Sequence, residues 1–289
     1  MTPLQWSHLT EKSTLHIGFH MESKDTTQVV LLTGGSSGIG AATALLLAKE
    51  GMKVYATSRS GKAPSHQLIV PMVMDINDEK SVEDGVKAIL EAEGRIDSLV
   101  CNAGNGIGGP VECTSDEEAR YQFETCFFGT MKTIRAVLPH MRERRCGRII
   151  TVTSVAAVIP IPYQAYYSSV KAALLMLTRA LSLEVKPFGI QCCSILPGDT
   201  KTSFTAARKK IAHVEEAYRE TMERSVGKME KDEQNGMSPD VIGRAIVRQL
   251  KCRRMRPTVT PRLDYRSIYV LSRLLPERLM KWVVGLLYA

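Results

Sequence analysis

Apolar residues along this chain follow two repeating patterns. Six short runs rich in aliphatic and β-branched residues read as strands: "QVVLLTGG" at 28–35, "KVYATSR" at 53–59, "LIVPMVMDI" at 68–76, "IDSLVCNAG" at 96–104, "GRIITVTS" at 147–154 and "IQCCSILPG" at 190–198. Helical spacing fills the gaps between them. "GAATALLLAKEG" stops at Gly51, and Val82, Val86, Ile89 and Leu90 share one face of a helix that Gly94 ends. Ser115 and Glu118 form a capping box, which predicts one long helix through "YQFETCFFGTMKTIRAVLPHM". Another helix carries "YYSSVKAAL" at 166–174 and reaches about Lys186. Ser238 caps a further helix with Pro239 at its first position, and "RPTVTP" at 256–261 supplies a seventh strand.

Strands that are apolar almost throughout, alternating with helices, predict a parallel sheet covered on both faces. The expected fold class is α/β, a doubly wound parallel sheet of about seven strands. One domain is expected over 28–262, including a charged, helical insertion at about 200–236. Residues 1–27 are expected to form a loosely ordered extension. Residues 263–289 form a basic amphipathic C-terminal segment.

Composition narrows this picture only slightly. Hydrophobic residues make up 44% and charged residues 24% of the 289, as in a soluble globular protein. Lys plus Arg exceeds Asp plus Glu by 38 − 30 = 8. From Arg244 onward eleven basic residues stand against Asp264 and Glu277, so this region holds the whole excess. Such a bias attracts anionic surfaces, but no nucleic-acid-reading signature accompanies it, and no nucleic acid partner is expected. The seven cysteines are odd in number and lack metal-ligand spacing; Cys101, Cys192 and Cys193 lie in apolar runs, which suits a reducing cytoplasm. No metal site is expected.

The chemistry begins at "TGGSSGIG", residues 33–40, between the first strand and the first helix. Gly34 and Gly38 allow a sharp turn close to a pyrophosphate, and Gly40 lets the helix approach the strand. The helix N-terminus then offers free N–H groups to phosphate. An acid at the end of the second strand would favour a free ribose 2′-hydroxyl. This strand ends in Arg59 instead, with Lys62 nearby, so a 2′-phosphate is expected and NADP(H) is preferred over NAD(H).

Tyr167 and Lys171 lie one helical turn apart. A phenol ordinarily keeps its proton until about pH 10, and a cation beside it stabilises the phenolate. Tyr166 has no such lysine four residues on. Ser154 closes the fifth strand, and its hydroxyl can donate to a carbonyl oxygen. Thr153 is its rival, but adjacent strand residues face opposite ways.

The Gly-x-x-x-Gly-x-Gly loop, "CNAG" at 101–104, Ser154, Tyr167 with Lys171, and Pro197-Gly198 occur in an order that resembles the short-chain dehydrogenase/reductase family, from about residue 28 to 200. The resemblance implies a Rossmann fold and hydride transfer between a nicotinamide and a carbonyl or alcohol. It implies cofactor contacts from Gly34, Ser36, Ser37, Gly38, Ile39, Gly40 and Arg59. Asp75 with Ile76 would meet the adenine, and Asn102, Ala103 and Gly104 would brace the centre. Pro197, Gly198, Thr200 and Thr202 would hold the carboxamide end. Lys171 would hydrogen-bond the nicotinamide ribose. Ser154, Tyr167 and Lys171 would be catalytic. The family's fourth catalytic member is an Asn, whose place Cys126 takes; its backbone carbonyl would hold a relay water for the lysine, and a slower relay is expected.

The substrate wall is expected to draw on Ile107, Val158, Ile159, Ile161 and Tyr163, with Ser154, Ile161, Tyr163 and Tyr167 touching a small hydrophobic substrate. Steroid, retinoid and lipid reductases of the family share such walls. The C-terminal "LSRLLPERLMKWVVGLLYA" suits peripheral contact with a membrane, a cover for the pocket, or packing in the core or against another subunit; packing, with a homo-oligomer, is favoured. A catalytically weak NADP(H)-binding sensor or scaffold is the alternative function.

Overall fold

A computed structural model describes residues 27–288. Of the extension expected over residues 1–27, residues 1–26 lie outside the described residues. Among the described residues nine strands and ten α-helices follow in chain order: β1 Val29–Thr33, α1 Gly38–Lys49, β2 Lys53–Ser58, β3 Ile69–Val73, α2 Glu79–Glu93, β4 Ser98–Cys101, β5 Ile107–Gly108, α3 Asp116–Phe123, α4 Gly129–Glu143, β6 Gly147–Val152, α5 Ala165–Glu184, β7 Ile190–Ile195, α6 Phe204–Ala207, β8 Lys209–Lys210, α7 Glu216–Gln234, α8 Pro239–Lys251, β9 Thr258–Val259, α9 Leu263–Leu274 and α10 Glu277–Tyr288. Seven strands form one parallel sheet in the order β3-β2-β1-β4-β6-β7-β9, and β5 pairs with β8 in a separate two-stranded ladder.

The two-residue period of the strands divides the core between the two faces of the sheet. Leu31, Tyr55, Leu99, Ile149 and Cys192 point into one cluster with Val82, Val86, Ile134 and Val137 from α2 and α4. Val30, Leu32, Val54, Val100, Ile150 and Cys193 point into the other, against Ala44 and Leu47 of α1 and Ile242 and Ile246 of α8. Pro71, which lacks an N–H, is tolerated because β3 lies at the sheet edge. Burial pushes the thiols of Cys192 and Cys193 up to about 12, which leaves them as inert space-filling groups at neutral pH.

The long helix expected from Ser115 is interrupted. Between α3 and α4 the residues Glu124–Phe128 form a π-helical turn, in which the Gly129 amide reaches back to the Glu124 carbonyl. Such turns insert one residue into a helix and are common at functional sites. The capping box itself is present: Ser115 Oγ accepts from the Glu118 amide at 3.2 Å, and Glu118 Oε2 accepts from the Ser115 amide at 3.1 Å.

Glu118 Oε1 also accepts from the Ala212 amide at 3.3 Å, tying α3 to the segment before α7. Partial burial opposes ionisation, but these hydrogen bonds outweigh it and hold the carboxyl below its ordinary range. The carboxylate therefore favours the folded state above the unfolded value of about 4.3, and that contribution disappears as pH falls through the depressed folded value. Glu118→Ala is expected to cost about 1–2 kcal/mol near neutral pH. Urea denaturation of both proteins should show that difference shrinking under acid conditions; a difference independent of pH would contradict it.

The charged insertion contains the long helix α7, as its sequence suggested. Val284 of α10 is buried, and Tyr288 packs against Met222, Val226 and Met229 of α7. The C-terminal segment thus folds back onto the insertion.

Candidate active site

The strand order reverses between β1 and β4, and the loops beyond the carboxyl ends of the strands part there. A cavity of about 540 Å³ fills this place. Its floor is the glycine loop. Gly34 and Gly38 have φ of +68° and +53°, which disfavour any side chain, and a Cβ on Gly40 would sit 1.9 Å from the Gly34 carbonyl oxygen. Gly40 accordingly does not line the cavity; it sets the approach of α1 to β1. Ser37 caps α1 without a side-chain hydrogen bond, so the first helical amides have no capping side chain. Gly34, Ser36, Ser37, Gly38 and Ile39 all face the cavity.

Asn102 locks this loop to the end of β4. Its Nδ2 donates to the carbonyls of Thr33 at 3.1 Å and Gly34 at 3.0 Å, while Thr33 Oγ1 accepts from the amides of Asn102 and Ala103. On the far side Thr202 packs against Gly38, and its Oγ1 accepts from the Phe204 amide at 3.2 Å. Thr200 Oγ1 donates to the Gly198 carbonyl at 2.8 Å. Asn102, Ala103, Gly104, Pro197, Gly198, Thr200 and Thr202 all line the cavity.

At one end stand Ser58, Arg59 and Ser60, together with Asp75, Ile76 and Asn77. Asp75 Oδ1 accepts from the Asn77 amide at 3.0 Å, and buried Asn77 Oδ1 has no donor among the described residues. Ser60 and Asn77 escaped the sequence reading; their only signal was adjacency to Arg59 and Ile76. Lys62 does not line the cavity. An uncapped helix start, a glycine cradle and an orphaned buried acceptor together fit a dinucleotide lying across the sheet.

At the other end Tyr167 faces the cavity and Tyr166 does not. The Lys171 ammonium lies 5.6 Å from the Tyr167 ring centre and donates to the Val152 carbonyl at 3.1 Å. Lys171 is buried, so its charge acts at close range in a region poor in water. Ser154 Oγ accepts from the Ala156 amide at 3.1 Å, which leaves its own hydrogen free. Thr153 also borders the cavity, but its hydroxyl donates to the Ile195 carbonyl at 3.0 Å. The arrangement presents two hydroxyl donors and a cation at one end of the cavity.

Cys126 lies behind this end, within the π turn, and does not line the cavity. Its Sγ accepts from the Asn105 amide at 3.4 Å and Gln122 Nε2 at 3.1 Å. Gln122 Nε2 also donates to Asn105 Oδ1 at 2.9 Å. Two amide side chains thus gather around the thiol. The Cys126 carbonyl accepts from Thr130 Oγ1 at 2.9 Å. Neither Asn105 nor Gln122 stood out in the sequence, because only the fold brings them together.

The wall departs most from expectation. Ile161 lines the cavity, but Ile107, Val158, Ile159 and Tyr163 do not. Tyr163 adopts φ of +59°, and its hydroxyl turns away to Thr221 Oγ1 at 2.6 Å, so its side chain packs with α7. Ile107 is buried in β5, where its amide donates to Gln122. Val158 packs toward α9. Phe204, Met229 and Tyr288 form the apolar wall instead, with Glu233 as a polar neighbour. Phe204 lies 5.9 Å from the Tyr167 ring, and Glu233 is ion-paired with buried Arg208. Burial first, then the nearby carboxylates of Asp199, Asp232 and Glu233, push the Tyr288 phenol up to about 12, so it remains neutral.

The short chain dehydrogenase family model matches residues 28–212, more than half of the chain. The chain belongs to the short-chain dehydrogenase family. It is 38% identical over 269 residues to a 3-ketodihydrosphingosine reductase of Bacteroides thetaiotaomicron, covering 91% of this chain and 98% of that protein. It is 35% identical over 191 residues to human 17-beta-hydroxysteroid dehydrogenase type 1, covering 61% and 58% of the two. A short-chain dehydrogenase from Streptomyces avermitilis superposes with a TM-score of 0.78 at 28% identity, covering 86% of this chain and 92% of that one. ElxO with NADP bound gives 0.69 at 25%, covering 83% and 99%. As a short-chain dehydrogenase this protein is an oxidoreductase with a site for a nicotinamide dinucleotide. Its seven-stranded sheet is the Rossmann fold expected from the sequence.

Proposed function

We propose that this short-chain dehydrogenase uses NADP(H) to interconvert a ketone and a secondary alcohol in a lipid-like substrate. One observation carries the reading: Ser154 and Tyr167 share one end of a cavity whose wall is the apolar group Ile161, Phe204, Met229 and Tyr288. The near full-length similarity to a 3-ketodihydrosphingosine reductase supports a long-chain ketone over a steroid. Arg59, with the hydroxyls of Ser36, Ser37, Ser58 and Ser60 in the same cavity and no acid at the end of β2, supports NADP(H) over NAD(H).

Gly34 to Ile39 would hold the pyrophosphate, Asp75 and Asn77 the adenine end, and Thr200 and Thr202 the carboxamide end. The bound cofactor would supply or accept the hydride. In the reducing direction the Tyr167 hydroxyl donates a proton to the substrate oxygen as negative charge develops there. Ser154, its acceptor side already engaged by Ala156, donates a second hydrogen bond to that oxygen. Lys171 stabilises the phenolate left behind. Cys126 and its amide neighbours position the strand-end loop at Gly104 and Asn105 behind that group.

The test is NADPH oxidation by the purified protein with 3-ketodihydrosphingosine, shorter alkyl ketones and steroid ketones. Expected is a kcat/KM at least about tenfold higher for the long-chain ketone than for the steroids. A preference for steroids would overturn the substrate class. Tight NADPH binding without turnover on any ketone would favour a sensor.

A further inference from the structure

Helix α10 has its apolar stripe on the wrong side for a helix stabilised only by its own protein. Leu279, Trp282, Val283, Leu286 and Leu287 recur at i, i+3, i+4, i+7 and i+8, the spacing of one helical face. All five are exposed, from 36% for Val283 to 68% for Leu286. The helix is held from its opposite face. Val284 is buried there, and Tyr288 reaches the α7 cluster, with the Lys228 ammonium 5.6 Å from its ring centre. The preceding helix, α9, leaves Leu263, Val270, Leu271 and Leu274 exposed as well.

We infer that the outer face of α10 docks on a lipid bilayer carrying anionic headgroups. Twelve residues make a helix of about 18 Å, too short to cross a hydrocarbon core of about 30 Å. Among the described residues no helix is long and apolar enough to span a membrane. A helix with this pattern lies in the interface plane, with tryptophan and leucine in the acyl boundary and basic side chains toward phosphate. Residues 262–288 carry five basic and two acidic side chains, a net charge of 5 − 2 = +3. Arg262 pairs with Asp264 and Lys281 with Glu277, which leaves Arg266, Arg273 and Arg278 without a carboxylate partner among the described residues. A second copy of the chain is the weaker occupant. A twofold contact sets each patch against itself, and a segment of net charge +3 would then meet its own like charges.

Tyr288 lines the active-site cavity, so docking would place lipid about one helix diameter, ~10 Å, from the substrate wall. That consequence rests on the lipid-like substrate proposed above. The docking itself does not, and it is tested without substrate.

The experiment is flotation of the full chain with phosphatidylcholine vesicles, with and without about one-third phosphatidylglycerol. The chain has two tryptophans, so a Trp6→Phe background leaves Trp282 as the fluorescent reporter. Expected are flotation with the anionic vesicles, quenching of Trp282 by brominated lipid, and weakening by salt. Trp282→Ser with Leu286→Ser should reduce vesicle binding at least about tenfold with the circular dichroism spectrum unchanged. Failure to float with either vesicle, or equal flotation of the double variant, would overturn docking; equal binding to uncharged vesicles would overturn the role of the headgroups. A concentration-dependent dimer abolished by the same substitutions, in protein that does not float, would assign the face to a second copy instead.

Discussion

Tyr167→Phe is expected to lower kcat by about 10²–10⁴-fold while leaving NADPH affinity within about twofold. The substitution removes one oxygen and little else. The ring stays 5.9 Å from Phe204, and Lys171 keeps its hydrogen bond to the Val152 carbonyl, so neither the wall nor the lysine loses its placement. What disappears is the proposed proton donor at the end of the cavity, and Ser154 does not replace it, because an aliphatic hydroxyl is a far weaker acid than a phenol. Tyr166→Phe is the matched control. That phenol does not line the cavity, and its loss should change turnover by less than about twofold. Single-turnover rates, read beside a binding titration with NADPH, separate the chemical step from cofactor affinity. Turnover unchanged in the Tyr167 variant would remove this phenol from the reaction.

The adjacent tyrosines also show what the sequence could and could not convey. The choice of Tyr167 over Tyr166 follows from helical periodicity, because only the former has a lysine one turn on. Strand alternation proved the wrong ground for choosing Ser154 over Thr153, because β6 ends at Val152 and both residues border the cavity; what separates them is that the Thr153 hydroxyl is committed to the Ile195 carbonyl. The strands were legible: a buried parallel sheet needs nearly continuous apolar runs, and those runs have few alternative readings. The π turn at Glu124–Phe128 was hidden, since one inserted residue scarcely alters an apolar pattern. The substrate wall was misjudged because proximity along the chain stood in for proximity in space. Tyr163 follows the right strand, but its left-handed backbone turns the ring into α7. Phe204, Met229 and Tyr288 come from three later helices, and only tertiary packing gathers them. For α10 the amphipathic pattern was plain, but which face meets the protein depends on its contact with α7.

The second large effect is expected at Arg59, the guanidinium to which the proposed preference for NADP(H) is assigned. Arg59→Asp should lower the ratio of kcat/KM with NADPH to that with NADH by about 10²–10³-fold. Two contributions add. The variant loses a charge-assisted hydrogen bond to the 2′-phosphate, about 1.5–3 kcal/mol. It also sets a carboxylate beside that phosphate, while giving the free 2′-hydroxyl of NADH an acceptor. Together they amount to roughly 3–4 kcal/mol, and each 1.4 kcal/mol is tenfold. The fold should be undisturbed, because Arg59 is exposed and forms no ion pair among the described residues. Ser36, Ser37, Ser58 and Ser60 remain in the cavity, so some affinity for the phosphate should persist and the ratio should fall without NADPH binding being abolished. Arg59→Lys separates charge from shape: a point charge keeps the attraction but not the two-pronged fit, and an intermediate ratio is expected. Steady-state kinetics with both cofactors at fixed ionic strength measure all three proteins, since the phosphate contact weakens with salt. A ratio unmoved by Arg59→Asp would mean that the serine hydroxyls alone, or no group at this corner, govern the choice.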